Sequence, residues 1–120
     1  MEKRILVAGC RFYENYKQAE VYIDFCLQNI KKENSFIFVS GACRGADRLG
    51  ELYAQKHGYA IERYPADWER YGKAAGPIRN QQMVNISDYI ICFWDGKSRG
   101  TKSTIDFARL VKKPIRIKFI

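Results

Sequence analysis

Three short stretches of the 120-residue chain combine glycine with arginine or hydroxyl side chains. They are Gly9-Cys10-Arg11, Ser40-Gly41-Ala42-Cys43-Arg44-Gly45-Ala46-Asp47 and Asp95-Gly96-Lys97-Ser98-Arg99-Gly100-Thr101. These residue types suit a phosphate. Glycine lets backbone amides approach a ligand with no Cβ in the way. Ser40, Ser98 and Thr101 offer hydroxyls, while Arg11, Arg44 and Arg99 offer forked, charge-assisted donors. Each such bond contributes roughly 1.5–3 kcal/mol, so two or three set an affinity near micromolar. For any one stretch alone, turns, helix caps and solvated arginines are the better explanation. Three on one rim favour an anion site.

Two phosphate-binding patterns are excluded. Gly96-Lys97-Ser98 carries the closing letters of a P-loop, but the required glycine five positions earlier is Ile91. A single glycine, Gly9, follows the first apolar run, so the GxGxxG dinucleotide turn is absent as well.

Other residues could add chemistry. Asp47 opens a predicted helix, where it complements the helix dipole or binds ribose hydroxyls. Asp67 and Trp68 lie in a long connecting segment. Trp68 could stack on a base or anchor the segment, and Asp67 could bind a base edge or act as a carboxylate catalyst. Arg79 follows Pro77 at a predicted helix start, an odd place for a cation unless an anion meets it. Asn80 is its neighbour. Catalytic candidates are therefore Asp67, Arg79 and Asp47. Phe12, Tyr13 and Tyr16 could cover a base or pack a helix start. Cys10 and Cys43 lack a suitably placed base and read as small packing residues.

The elements that position these residues alternate along the chain. Apolar runs at 4–9, 36–40, 59–63, 89–94 and 114–120 predict strands. Helical periodicity marks 15–30, 45–57, 79–86 and 101–111, with Gly58 as a C-terminal stop. Residues 64–78 break the rhythm as a fifteen-residue loop, read as an ordered binding flap because it holds Trp68 and Tyr71. The alternation predicts an α/β fold with three Rossmann-like layers: a mostly parallel five-stranded sheet with helices on both faces. In such sheets the ligand crevice lies at the carboxyl ends of the strands, where all three polar stretches begin.

Composition bounds the rest. The length suits one domain spanning 1–120, with 47% hydrophobic residues for an ordinary core. Four dispersed cysteines without a CxxC and a single histidine, His57, make neither a zinc site nor a disulfide scaffold. No metal is expected, and a reducing cytoplasm is. The charged amino-terminal residues run straight into a strand, unlike a signal peptide, and no run is long enough for a membrane helix. A net charge of +8 favours polyanionic partners. Oligomeric state stays open, a homo-oligomer included.

Taken together, Gly9-x-Arg11, Ser40-Gly-x-x-Arg-Gly-Ala-Asp47, Pro65-Ala-Asp-Trp68, the 72–80 stretch G-K-A-A-G-P-I-R-N and Ser98-Arg-Gly-Thr101 resemble the YspA (cpYpsA-related) branch of the SLOG superfamily. The resemblance implies a Rossmann-like fold that binds nucleotide-derived ligands such as NAD or ADP-ribose-like molecules. Ala42 stands where that branch usually has glycine. Arg79-Asn-Gln-Gln-Met83 followed by Arg99-Gly-Thr101 is more distantly similar to LOG-type phosphoribohydrolases, which use an arginine and a glutamate. Arg79 matches the arginine. Thr104 occupies the glutamate position and carries no carboxylate, which argues against that activity.

The leading expectation is a protein that binds a nucleotide-derived ligand at the sheet's carboxyl rim. It would act as sensor, sequestering protein or enzyme, with no certain cofactor. The alternatives are single-stranded nucleic-acid binding, for which the DNA-processing protein A family offers an analogy of fold, and N-glycosidic or phosphoester hydrolysis by Asp67 or Asp47.

Overall fold

A computed structural model describes all residues, 1–120. Five strands, β1 (Glu2–Gly9), β2 (Ser35–Ser40), β3 (Ala60–Arg63), β4 (Tyr89–Trp94) and β5 (Ile115–Phe119), form one sheet in the order β3-β2-β1-β4-β5. Every pairing is parallel, with Arg4 opposite Ile37 and Leu6 opposite Ile90. The expected, mostly parallel sheet is parallel throughout.

The central strand explains the layering. Alternate β1 residues face opposite sides, as the twofold period of a strand dictates. Ile5 and Val7 pack with Ala19, Ile23 and Leu27 of α1 (Tyr16–Leu27) and with Leu49 and Tyr53 of α2 (Ala46–His57). Leu6 and Ala8 pack on the other face with Met83 and Val84, and with Ile105 and Ala108. These last two pairs come from α4 (Ala75–Ile86) and α5 (Arg99–Leu110). A continuous apolar strand thus supplies two cores, giving the α/β Rossmann-like architecture expected from the alternation.

Local signals set the helix ends. Asn15 Oδ1 accepts from Gln18 N–H at 3.1 Å and starts α1. Gly58, at φ 75°, ends α2 with its N–H turned back to the carbonyls of Ala54 and Gln55. No helix is long and apolar enough to cross a membrane.

Residues 64–78 are not one long loop. A short helix α3 (Trp68–Tyr71), a 3-10 turn (Gly72–Ala74) and the start of α4 occupy most of them. Pro77 is the third residue of α4, inside the first turn, where a missing N–H costs nothing. Arg79 therefore lies in the second turn of α4 and not at a helix start.

Candidate functional site

Strand order reverses between β1 and β4, and the three polar stretches converge at the carboxyl ends around that point. Cys10 ties them together. Its N–H donates to Phe93 O at 3.0 Å and its carbonyl accepts from Ala46 N–H, the first amide of α2, at 3.1 Å. Its thiol lies 3.2 Å from Ser98 Oγ.

A cleft of about 580 Å³ opens there. The first stretch contributes Gly9, Cys10 and Arg11, and the third contributes Ser98, Arg99, Gly100 and Thr101. Asp47, Arg79 and Asn80 complete it from α2 and α4. A second cleft adjoins it, lined by Gly41, Ala42, Arg44 and Trp68, and the two share Arg11, Cys43 and Arg79. Four arginines line the pair, against one acid, Asp47.

Arg79 is the unusual group. Its residue is 7% exposed, yet no carboxylate lies within 4 Å of its guanidinium. Nη1 donates to Gly41 O at 2.6 Å and to Tyr64 O at 3.3 Å, and Nε donates to Asn80 Oδ1 at 2.9 Å. Nη2, which bears two N–H bonds, reaches only Cys43 Sγ at 3.8 Å. A buried cation without an ion pair is costly, and the spare N–H bonds of Nη2 at the cleft suit an anion.

Gly41 makes this packing feasible. A Cβ there would stand 2.7 Å from Asp47 Oδ2 and 2.9 Å from Arg79 Nη1. Asp47 is itself buried, and desolvation pushes its carboxyl up to about 6, opposed by the Cys43 N–H bond and by the charge of Arg79. For a raised carboxyl the sign is definite. The group's stabilising contribution is full below its unfolded value near 4 and is lost as pH rises through 6. Asp47→Asn keeps an acceptor for Cys43 N–H and removes the charge. Denaturant titrations should find it more stable than wild type by on the order of 2 kcal/mol at pH 8 and equal to it at pH 4.

The α5 end of the cleft presents amides. Arg99, Gly100 and Thr101 precede the first intrahelical bond, Lys102 N–H to Ser98 O at 3.1 Å, and Ser98 makes no side-chain cap. The Lys97 and Ser98 amides instead donate to Asp95 Oδ1 at 2.9 and 2.8 Å. Those two bonds hold the Asp95 carboxyl down at about 2. The glycine-lysine-serine triplet thus spends its amides on a turn, which is the physical reason it is no P-loop.

Other expected site residues lie elsewhere. Ser40 is buried and donates to Glu51 Oε2 at 2.6 Å, while its oxygen accepts from Ala42 N–H at 3.0 Å. Its hydroxyl faces inward, because Glu51 also anchors Arg63 of β3 and needs it. Gly45 lines neither cleft and serves the contact of α2 with the first loop. Asp67 lines neither cleft and caps α3 by accepting from Arg70 N–H at 3.2 Å. Of the two candidate carboxylates, only Asp47 is in the cleft. Trp68 is 54% exposed, so it does not anchor its segment to the core. Tyr13 stacks on Phe93 with ring centres 5.0 Å apart, and Phe12 stands exposed at the cleft mouth.

The sequence reading gave no role to Asp95, Glu51 or Ser103. Asp95-Gly96 is a turn signature, and Glu51 follows Asp47 by one helical turn on an otherwise apolar stripe. Ser103, exposed on the cleft wall, carried no signal.

Ala42 adopts φ 61°, the left-handed region that side chains disfavour. Ala42→Gly should therefore raise stability by about 1 kcal/mol, seen as a higher melting temperature.

The sequence profile described as YspA, cpYpsA-related SLOG family matches residues 3–71, more than half of the chain. The chain belongs to that SLOG family. The matched part of this SLOG protein holds the first two rim stretches and Trp68. It is 29% identical over 119 residues to the Gene 61 protein of Mycobacterium phage D29, covering 94% of each chain. Its fold is similar to a solved structure of DNA processing protein A from Helicobacter pylori, a protein described by its single-stranded DNA binding mode. The TM-score is 0.67 at 21% identity, over 96% of the SLOG chain and 64% of the other. This SLOG chain thus spans just under two thirds of that relative's length.

Proposed function

We propose that the rim cleft binds a nucleotide-derived, phosphate-bearing ligand. The observation that carries this reading is Arg79: a buried guanidinium with no ion-pair partner within 4 Å, whose Nη2 meets only Cys43 Sγ where the two clefts join. A phosphate there would compensate that charge and would also meet the uncapped amides of α5. Trp68, exposed beside Arg44 in the adjoining cleft, supplies a stacking face for a base. Family membership supports the same class of ligand.

Binding is better supported than turnover. Thr104 is buried and returns its hydroxyl to Gly100 O at 3.3 Å, so it offers no carboxylate to a reacting sugar. Calorimetric titration with NAD, ADP-ribose and nucleoside monophosphates tests the reading, and heat from none of them sinks it. Mass spectrometry after incubation should recover the ligand unchanged, and cleavage would instead assign Asp47 a catalytic role.

A second reading, single-stranded nucleic acid across the same rim, draws on exposed Phe12 and Trp68 among the arginines and on the DNA-binding structural relative. Its signature is affinity that grows with oligonucleotide length and falls steeply with salt.

A further inference from the structure

Away from the rim, α1 and β5 build a second surface. Lys17, Val21 and Phe25 recur at four-residue spacing on α1 and are all exposed, Val21 to 70% and Phe25 to 52%. The buried residues of α1, Ala19, Ile23 and Leu27, lie on its other side, so this stripe turns away from the core. β5 is the edge strand on the same flank, and its cations reach toward α1. The Arg116 guanidinium lies 5.6 Å from the centre of the Phe25 ring, and Lys118 Nζ lies 6.0 Å from that of Tyr22.

Between them runs a groove of about 560 Å³ that takes in Tyr22 and Phe25 together with Lys17 and Lys118, and no acid lines it. A smaller groove continues past Val21 and Phe25 to Lys31 and Lys32. Its one acid, Asp24, is already committed to Lys31 and to the Tyr53 hydroxyl. Neither groove shares a residue with the rim clefts.

Charge decides what covers this flank. A second copy of the chain would set Lys17, Arg116 and Lys118 against like charges, which opposes self-association. An acidic peptide would answer the cations but leave the ring faces without flat partners. Cations interleaved with the exposed Phe25 ring and the half-buried Tyr22 ring match a single strand, with phosphates on the cations and bases stacked on the aromatics. We propose that the α1–β5 flank binds single-stranded nucleic acid, with Phe25 and Tyr22 stacking bases and Lys17, Arg116 and Lys118 holding phosphates. The surface is separate from the rim and does not depend on what the rim binds.

Fluorescence anisotropy with a labelled oligothymidylate of about 20 nucleotides tests this on the full chain. Phe25→Ala should weaken binding roughly tenfold. The double variant Lys17→Ala/Lys118→Ala should flatten the log–log salt slope by about 1.4, near 0.7 for each lost phosphate contact. Lys73→Ala, at an exposed lysine that lines none of these clefts or grooves, should leave oligonucleotide affinity within about twofold. Should Phe25→Ala lower the melting temperature, the lysine pair carries the test alone. Binding unchanged by the flank variants overturns the proposal, as does loss in Arg79→Ala alone, which would place the strand on the rim. Equal displacement by polyglutamate of matched charge also overturns it and assigns the flank to an acidic protein.

Discussion

Arg79→Ala is expected to weaken binding of a phosphate-bearing nucleotide by about 100-fold, two charge-assisted hydrogen bonds' worth. Stability should fall too, and by less than the bond count suggests. The Gly41 and Tyr64 carbonyls lose their donor, at about 1–3 kcal/mol for each acceptor left buried. Against this, the substitution removes a desolvated cation that makes no ion pair within 4 Å, and water can enter from the cleft. The net loss should be about 2 kcal/mol. Arg79→Lys separates charge from shape. A single ammonium cannot reach Gly41 O, Tyr64 O and a ligand together, so it should recover less than half of the lost binding energy. Calorimetry beside thermal melts decides. Affinity within twofold of wild type with lowered stability would reduce Arg79 to a clasp between loops.

Gly45→Ala should act on the fold itself. Gly45 adopts φ 80° and ψ −133°, a region essentially reserved for glycine. A Cβ would stand 2.4 Å from Cys10 O and 2.5 Å from both the carbonyl carbon and oxygen of Arg11. All of these are backbone atoms, so no flexible side chain can yield. The bond from Ala46 N–H to Cys10 O, which docks α2 on the first loop, would stretch or break. A loss of about 3–4 kcal/mol follows, lowering the melting temperature by more than about 10 °C. Gly100→Ala is the control. A Cβ there meets nothing within 4 Å, so a change within about 0.5 kcal/mol, or a small gain from helix propensity, is expected.

The strands and the layering were legible because continuous apolar runs such as Ile5–Ala8 imply cover on both faces, and both faces are covered. Gly58 announced the end of α2 for a reason that is local to the backbone. Residues 64–78 were not legible as helix because α3 has four residues and buries none, which leaves no apolar period to detect. At the site, the meeting of three loops followed from strand direction alone. What each side chain does there did not. Ser40 turns inward to Glu51, and Asp67 turns to its own helix, because hydrogen-bond partners are chosen by tertiary neighbours that sequence spacing does not reveal. Arg79 was singled out as a cation at a helix start. It lies deeper in α4, and its burial without an ion pair within 4 Å is the better reason.

The placement of β1 in the middle of the sheet also has a kinetic side. During synthesis β1, β2 and β3 can pair with α1 and α2 docked, which assembles one core except for Ile91 and Phe93 of β4 while the other half of the chain is unmade. Leu6, Ala8 and Val39 on the opposite face must then wait for α4 and α5, and the bond from Asp88 N–H to Arg4 O closes across 84 residues. Such a nascent half-sheet exposes an apolar face and the unpaired edge of its innermost strand. Folding should therefore be limited by the late arrival of β4, and truncations that stop before it should aggregate rather than fold.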